Sequence, residues 1–260
     1  MSGTLLAGNI LSFILGTLVG SFVGLCAYRL PRKESVVTGA SRCDYCGSKL
    51  TWPQKLPLVG YLLRKGTAAC CGEKIPSKYL FVEIFTGLLF VALYGLKTRA
   101  PEFASAALFA TLLVGGTLTD LDHHIIPNKF TLTGIMAGVL FRGLVLPQGW
   151  QSGLLGVLVC GGLLYAAGKL GGMVLHRDDA MGGGDIKFAA MIGAFLGWKA
   201  GLAAIMLAAF SGNILGLVLI AVSPNKTGPH RVVFGPFLSF GALVMLLLGE
   251  PFILRALQSF

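Results

Sequence analysis

The chain is expected to be an all-α, polytopic membrane protein of about eight transmembrane helices, with a small cytosolic, zinc-ribbon-like domain between the first and second. Three observations predict this. Hydrophobic residues make up 55% of the 260 and charged residues only 12%, against roughly a quarter charged in ordinary soluble domains. The apolar residues come in long uncharged blocks, such as Leu5 to Tyr28 and Val233 to Leu248, and about 20 such residues cross the hydrocarbon layer. The basic residues are unevenly placed, as the positive-inside rule requires of a membrane protein. Disordered, fibrous and disulfide-scaffold classes are excluded. The net charge of +10 therefore reports topology and lipid contact, and no nucleic-acid partner is expected.

The first span, near 5–28, has no basic n-region, is too long for a signal h-region and is followed by basic residues that stop transfer. Gly16, Gly20 and Gly24 recur every four residues on one of its faces, which lets another helix approach closely. Segment 29–79 holds ten basic residues against three acids and is placed in the cytosol. Around Trp52, Pro53, Pro57 and Tyr61 it reads as a turn-rich stretch, too small to hold much core without a metal or membrane contact. Further spans are expected near 80–96, 103–119, 130–146, 150–174, 186–198, 202–222 and 233–254. Alternating sides adds Lys129, Arg177, Lys187, Lys226 and Arg231 to the cytosolic face, 15 basic residues in all, against Lys97, Arg99, Lys199 and Arg255 outside. Arg142 and Lys169 sit near span ends, from which they can snorkel. The expected organisation is a first transmembrane helix (1–28), a cytosolic Cys-containing segment (29–79) and a transmembrane domain (80–260).

Cys26 and Cys160 fall inside spans as small apolar packers. Cys43, Cys46, Cys70 and Cys71 all fall in the cytosolic segment, where disulfides are rare and clustered thiols point to metal. Cys43-x-x-Cys46 is half of a zinc ribbon. After 23 intervening residues the second pair is Cys70-Cys71 rather than C-x-x-C, and adjacent sulfurs reach one ion only on an unusual backbone. A four-thiol zinc site, a site using three of the four, and free structural thiols all remain open readings.

The acids carry the chemistry. Of 11 in the chain, five lie in two short loops on the expected cytosolic face: Asp120 and Asp122 before Pro127, and Asp178, Asp179 and Asp185 around Met181-Gly-Gly-Gly-Asp-Ile-Lys187. Asp120 ends one span and Asp185 opens another, so each sits at or just inside the membrane surface, where a carboxylate is costly and usually functional. Two converging carboxylates cannot both ionise, so one serves as general acid while the other activates water. That suits peptide hydrolysis without metal or covalent intermediate. Gly182 and Gly184 let the backbone turn and pack tightly beside Asp185, and Lys187 alone does not make the turn a phosphate site. The competing readings of the carboxylates are a proton or ion relay in a transporter and simple solvated loop acids. His123 and His124 read as interfacial polar residues, since no other His stands at ligand spacing.

Several motifs in order resemble the type IV prepilin peptidases. These are Gly20-Ser-Phe22, Tyr28-Arg-Leu-Pro31, Cys43-x-x-Cys46, Leu50-Thr-Trp52, Pro57, Gly66, Cys71, Tyr79, Glu83, Asp120-x-Asp-His-x-x-x-Pro127, Met181-Gly-Gly-Gly-Asp-Ile-Lys187 and Phe234-Gly-Pro-Phe237. The resemblance implies a bifunctional leader peptidase and N-methyltransferase of type IV pilus and type II secretion systems. It implies Asp120 and Asp185 as the catalytic aspartates, with Asp122, Gly182, Gly184 and Lys187 supporting them, and no cofactor for proteolysis. It further implies S-adenosylmethionine as methyl donor, zinc on Cys43, Cys46, Cys70 and Cys71, prepilins or pseudopilins as substrates, and residence in the bacterial inner membrane with the active site facing the cytosol. The chain departs from the pattern at Ala68, in the place of the third Cys, with Cys70 one residue ahead of the fourth, and at Gly24 and Lys55, where the family often has Asn.

Two rivals stand beside this reading, apart from a peptidase that has lost methyl transfer. A transporter would use the same carboxylates for coupling but usually shows related halves or broken helices, and no repeat is visible. A membrane anchor presenting a zinc-ribbon module would explain 29–79 yet leave the five loop acids without a task. The particular pilin and the oligomeric state are not legible.

Overall fold

The computed structural model describes residues 2–36, 43, 45–49, 56–97, 99–145, 149–175, 181–222 and 233–249. Trp52, Pro53, Lys55, Asp178, Asp179, Arg177, Lys226, Arg231 and Arg255 lie outside them. The expectation of an all-helical membrane protein is borne out. Among the described residues eight helices follow in order: α1 (Ser2–Arg29), α2 (Val59–Leu63), α3 (Ser77–Leu96), α4 (Ala100–His123), α5 (Asn128–Val145), α6 (Gly149–Leu175), α7 (Gly183–Val222) and α8 (Gly235–Leu248). The described residues contain no strand, only an isolated antiparallel bridge between Thr67 and Lys74. Stretches of α1, α3, α4, α6 and α7 are each long and apolar enough to cross a membrane. Large apolar side chains point outward along them, among them Leu11 at 68% and Met206 at 71% exposure, a surface that only hydrocarbon or another apolar partner accommodates.

The chain divides into two compact units, 1–98 and 99–260. The sequence boundary at 79/80 assigns α3 to the second unit, whereas α3 lies in the first, packed along α1. The glycine face of α1 explains this pairing. A side-chain carbon on Gly16 would come within 2.6 Å of the Thr86 carbonyl and 2.8 Å of the Gly87 Cα, one on Gly20 would collide with the Thr86 hydroxyl, and one on Gly24 would touch Tyr79. As the α1 number rises the α3 number falls, so the two helices are antiparallel. Backbones meet because no side chain holds them apart.

In the second unit α7 is central, packed on α5, α6 and α8, while α4 packs on α5 and α8. Gly156 of α6 lies back to back with Gly193 of α7. Phe109, Leu113, Phe188, Met191, Ile192 and Leu238 are fully buried, and Phe109 stacks on Phe195 with centroids 4.6 Å apart.

The separate spans expected at 186–198 and 202–222 are two helical stretches of α7 that meet at a break at Gly197 (φ 78°, ψ 172°), close to the expected boundary. A break inside an apolar span leaves carbonyls without helical donors. Arg142, expected to snorkel, instead donates from Nη1 to the Phe195 carbonyl at 2.9 Å. A side chain at position 197 would come within 2.6 Å of both Arg142 Nη2 and Ser152 Oγ, in a backbone region that is essentially glycine-only and costs about 1–3 kcal/mol for other residues. Gly197→Ala should therefore lower the thermal unfolding midpoint of the detergent-solubilised protein by several degrees; an unchanged midpoint would contradict the strain assigned to the break.

Candidate active site

Asp120 stands in the last turn of α4. His124, in the left-handed region at φ 53°, ends that helix and donates its N–H to the Asp120 carbonyl at 2.8 Å. The side chain of Asp120 is buried, at 7% exposure, and its Oδ2 accepts the backbone N–H of Gly235, the first residue of α8, at 2.9 Å. Asp185 stands in the first turn of α7, half-buried, with its own N–H donated to the Gly182 carbonyl at 3.1 Å. Asp120 at the end of α4 and Asp185 at the start of α7 stand on elements that pack together, Gly116 of α4 against the Phe188 ring of α7 and Gly184 against Ile126. An arrangement of one anchored carboxylate and one partly open carboxylate can shuttle a proton to and from a reacting group.

The supporting residues have distinct places. Gly184 packs against Ile126 of the α4–α5 connection, where an added Cβ would come 3.3 Å from the Ile126 Cβ. Gly182 faces the carboxylate itself, 3.2 Å from such a carbon to Asp185 Oδ2. None of Gly182, Gly183 and Gly184 has a positive φ, so Gly182 and Gly184 act by leaving space and not by an unusual turn, while a Cβ on Gly183 would meet nothing within 4 Å. Lys187 Nζ donates to Asn128 Oδ1 at 2.9 Å, tying the start of α7 to the start of α5. Asp122 is exposed, two residues beyond the buried Asp120.

In the first unit Cys43, Cys46, Cys70 and Cys71 converge, with all four sulfurs within 4.8 Å of one another. Cys43 and Cys71 are 3.8 Å apart, Cys46 and Cys70 3.1 Å, and Cys70 and Cys71 4.0 Å. A tetrahedron with bonds of about 2.3 Å to zinc has edges of about 3.8 Å. The residues therefore fit the metal. Two matching turns build the cluster. Gly47 N–H donates to the Cys43 carbonyl and Cys43 N–H to the Ser48 carbonyl; Gly72 N–H donates to the Ala68 carbonyl and Ala68 N–H to the Glu73 carbonyl. Gly47 and Gly72 both take a positive φ, 70° and 75°. Ala68 thus occupies the place of Cys43 in the second turn, and Cys70 delivers a sulfur from two residues along.

The thiols differ in acidity. The Ser48 hydroxyl, then the Ser48 amide and the Cys70 thiol, pull Cys46 down to about 6. For Cys71 the largest single influence, the Glu73 amide, favours the thiolate, but desolvation and the other three thiols outweigh it and push the group up to about 12. Without a cation Cys46 thus holds a thiolate readily and Cys71 resists one, whereas a bound metal requires its thiol ligands ionised. Elsewhere in this unit Glu83 of α3 accepts the N–H of Leu58 at 2.8 Å, holding the start of α2, where Leu58 has φ 58°. Sequence reasoning gave Glu83 no structural task. It quoted Gly235 only within Phe234-Gly-Pro-Phe237 and gave it no task, and it left Ile126 unnamed before Pro127; neither signal shows that these residues pack beside the aspartates.

Two family models match the chain: the bacterial peptidase A24 N-terminal domain over residues 14–96 and the type IV leader peptidase family over residues 103–217. They fall on the two structural units. Among curated proteins, a prepilin leader peptidase/N-methyltransferase of Myxococcus xanthus is 34% identical over 84% of this chain and 64% of its own length. Proteins of the same name from Aeromonas hydrophila and Bacillus subtilis are 31% and 30% identical, over 92% and 93% of this chain and 90% and 94% of theirs. No solved structure matches. With both halves matched in order and relatives of nearly the same length sharing about a third of their residues, the chain is a membrane enzyme that belongs to the type IV leader peptidase family.

Proposed function

We propose that this enzyme removes the short basic leader from a type IV prepilin or a type II secretion pseudopilin at the cytosolic face of the inner membrane, with Asp120 and Asp185 as its catalytic pair, and methylates the new N-terminus from S-adenosylmethionine. The observation that carries the peptidase reading is a buried, amide-anchored Asp120 at the end of α4 and a half-buried Asp185 at the start of α7, on helices that pack together through Gly116 and Phe188. One carboxyl gives a proton to the departing amine while the other takes one from the attacking water. An apolar substrate helix suits a bundle whose outer face is apolar, and loop acids orient a basic leader by at most about 1 kcal/mol per close pair. Shape at the scissile bond then supplies specificity.

The Cys43, Cys46, Cys70 and Cys71 sulfurs would hold zinc, which would supply folding energy to a segment with little core of its own. The names of the relatives carry an N-methyltransferase activity, and the family resemblance links it to the Cys-containing segment of this N-terminal unit. Mass spectrometry of a co-expressed prepilin tests both activities in one spectrum: the expected product has lost its leader and gained one methyl group. An uncut prepilin with well-folded enzyme would sink the peptidase reading, and a cut but unmethylated product would sink the transferase reading alone. Cys43→Ser with Cys46→Ser should lower methylation more than cleavage, since these thiols and the aspartates belong to different units; equal loss of both in folded protein would contradict that separation.

A further inference from the structure

We propose that Gly235, at the start of α8, is a positioning residue for Asp120: its N–H fixes one carboxylate oxygen, and its missing side chain is what lets α8 reach that carboxylate. The inference rests on the peptidase reading for its consequence in catalysis, and its residue lies beyond both segments that the family models match.

Three observations converge. The Gly235 N–H donates to Asp120 Oδ2 at 2.9 Å across 115 residues of sequence, in a buried setting. An added Cβ would collide with that same Oδ2 and stand 3.0 Å from Cγ and 3.2 Å from Cβ of Asp120. Gly235 has no positive φ, so its backbone conformation does not require glycine and only the space does. The rest of the first turn cannot replace it. Pro236 has no N–H, and the amides of Phe237 and Leu238 are both donated to the Phe234 carbonyl at 3.1 Å.

One turn deeper, Thr117 of α4 donates to the Ser239 hydroxyl at 2.7 Å, and that hydroxyl donates to the Leu113 carbonyl at 3.2 Å. Positions 120 and 235 and positions 117 and 239 are thus two rungs of one polar ladder between antiparallel helices. The lower rung sets the height of α8 on α4; the upper rung converts that height into the orientation of the carboxylate. One oxygen of the Asp120 carboxylate is thereby fixed before substrate arrives, and such preorganisation acts on the chemical step more than on binding.

The test compares Gly235→Ala with Gly241→Ala in purified enzyme cleaving a prepilin. Gly241 packs against the Ala204 carbonyl of α7, away from the aspartates, so its variant reports the cost of disturbing α8 alone. Gly235→Ala is expected to lower kcat about 10- to 100-fold, the range for a lost hydrogen bond to a charged group, with KM within about twofold. Gly241→Ala should lower the unfolding midpoint with kcat per folded molecule kept. Equal kcat loss in the two, or an unchanged kcat in folded Gly235→Ala, would overturn the proposal. Should Gly235→Ala not fold, hydrogen exchange of the peptide over 233–240 decides. In Asp120→Ala the Gly235 amide is expected to exchange at least about tenfold faster than in the wild type; equal exchange would overturn the contact. A wild-type enzyme that cut no prepilin would refute the peptidase reading instead, while the exchange experiment still judged the contact.

Discussion

Asp120→Asn and Asp185→Asn are each expected to abolish leader removal, with kcat/KM falling by at least about 10³-fold, since proton transfer by one positioned side chain contributes about 10²–10⁴-fold and the pair acts as a unit. Asparagine keeps the size of the side chain and an oxygen able to accept the Gly235 N–H, so Asp120→Asn should insert and fold as the parent does. The loss then reports chemistry and not assembly. Asp122→Asn provides the internal control. Asp122 is exposed on the same turn region, and its replacement should cost no more than a few-fold. Quantifying mature and precursor pilin by mass spectrometry after incubation with each purified variant checks all three. Substantial cleavage by either dyad variant, with matched unfolding curves, would remove that residue from the mechanism.

The spans were legible because membrane helices need long uncharged runs, and the glycine face of α1 was legible because a four-residue spacing stacks residues on one side of a helix. The break at Gly197 was legible as the boundary between the spans expected at 186–198 and 202–222, beside Lys199. What supports it was not, because Arg142 reaches the Phe195 carbonyl from 53 positions away. The residue types at the candidate active site were visible as acids concentrated at span ends, but the neighbours that orient them were not. Asp120 meets Gly235 across 115 residues, and the Gly182–Gly184 run looked like a turn when its use is the close approach of Ile126 and Asp185. The cysteines are the sharpest case. Adjacent Cys70 and Cys71 were expected to share one ion only on an unusual backbone, so the four-thiol site stayed one of three open readings; yet the equal spacing of Cys43 to Gly47 and Ala68 to Gly72 already encoded two matching turns, with Ala68 in the place of a ligand.

That displaced ligand makes the second large effect specific. Protein purified at neutral pH is expected to carry about one zinc per chain, held by Cys43, Cys46, Cys70 and Cys71. Cys70→Ser removes the sulfur 3.1 Å from Cys46 and 4.0 Å from Cys71. It should weaken zinc binding by more than the roughly 10–100-fold that loss of an outer-shell partner costs, and loosen the segment it holds, because metal-binding energy in so small a unit is folding energy. Ala68→Cys in the Cys70→Ser background should then restore the metal, since position 68 repeats the turn geometry of Cys43. Zinc content by elemental analysis, and cobalt substitution read by its thiolate charge-transfer band, follow the site without reference to either activity. Zinc retained in full by Cys70→Ser would mean that three thiols suffice, and failure of Ala68→Cys to restore it would mean that the two turns are alike in backbone only. A content near zero in the parent, with all four thiols open to alkylation in the folded protein, would remove the metal from the enzyme and leave the segment to be held by the Glu83–Leu58 bond and the packing of α2.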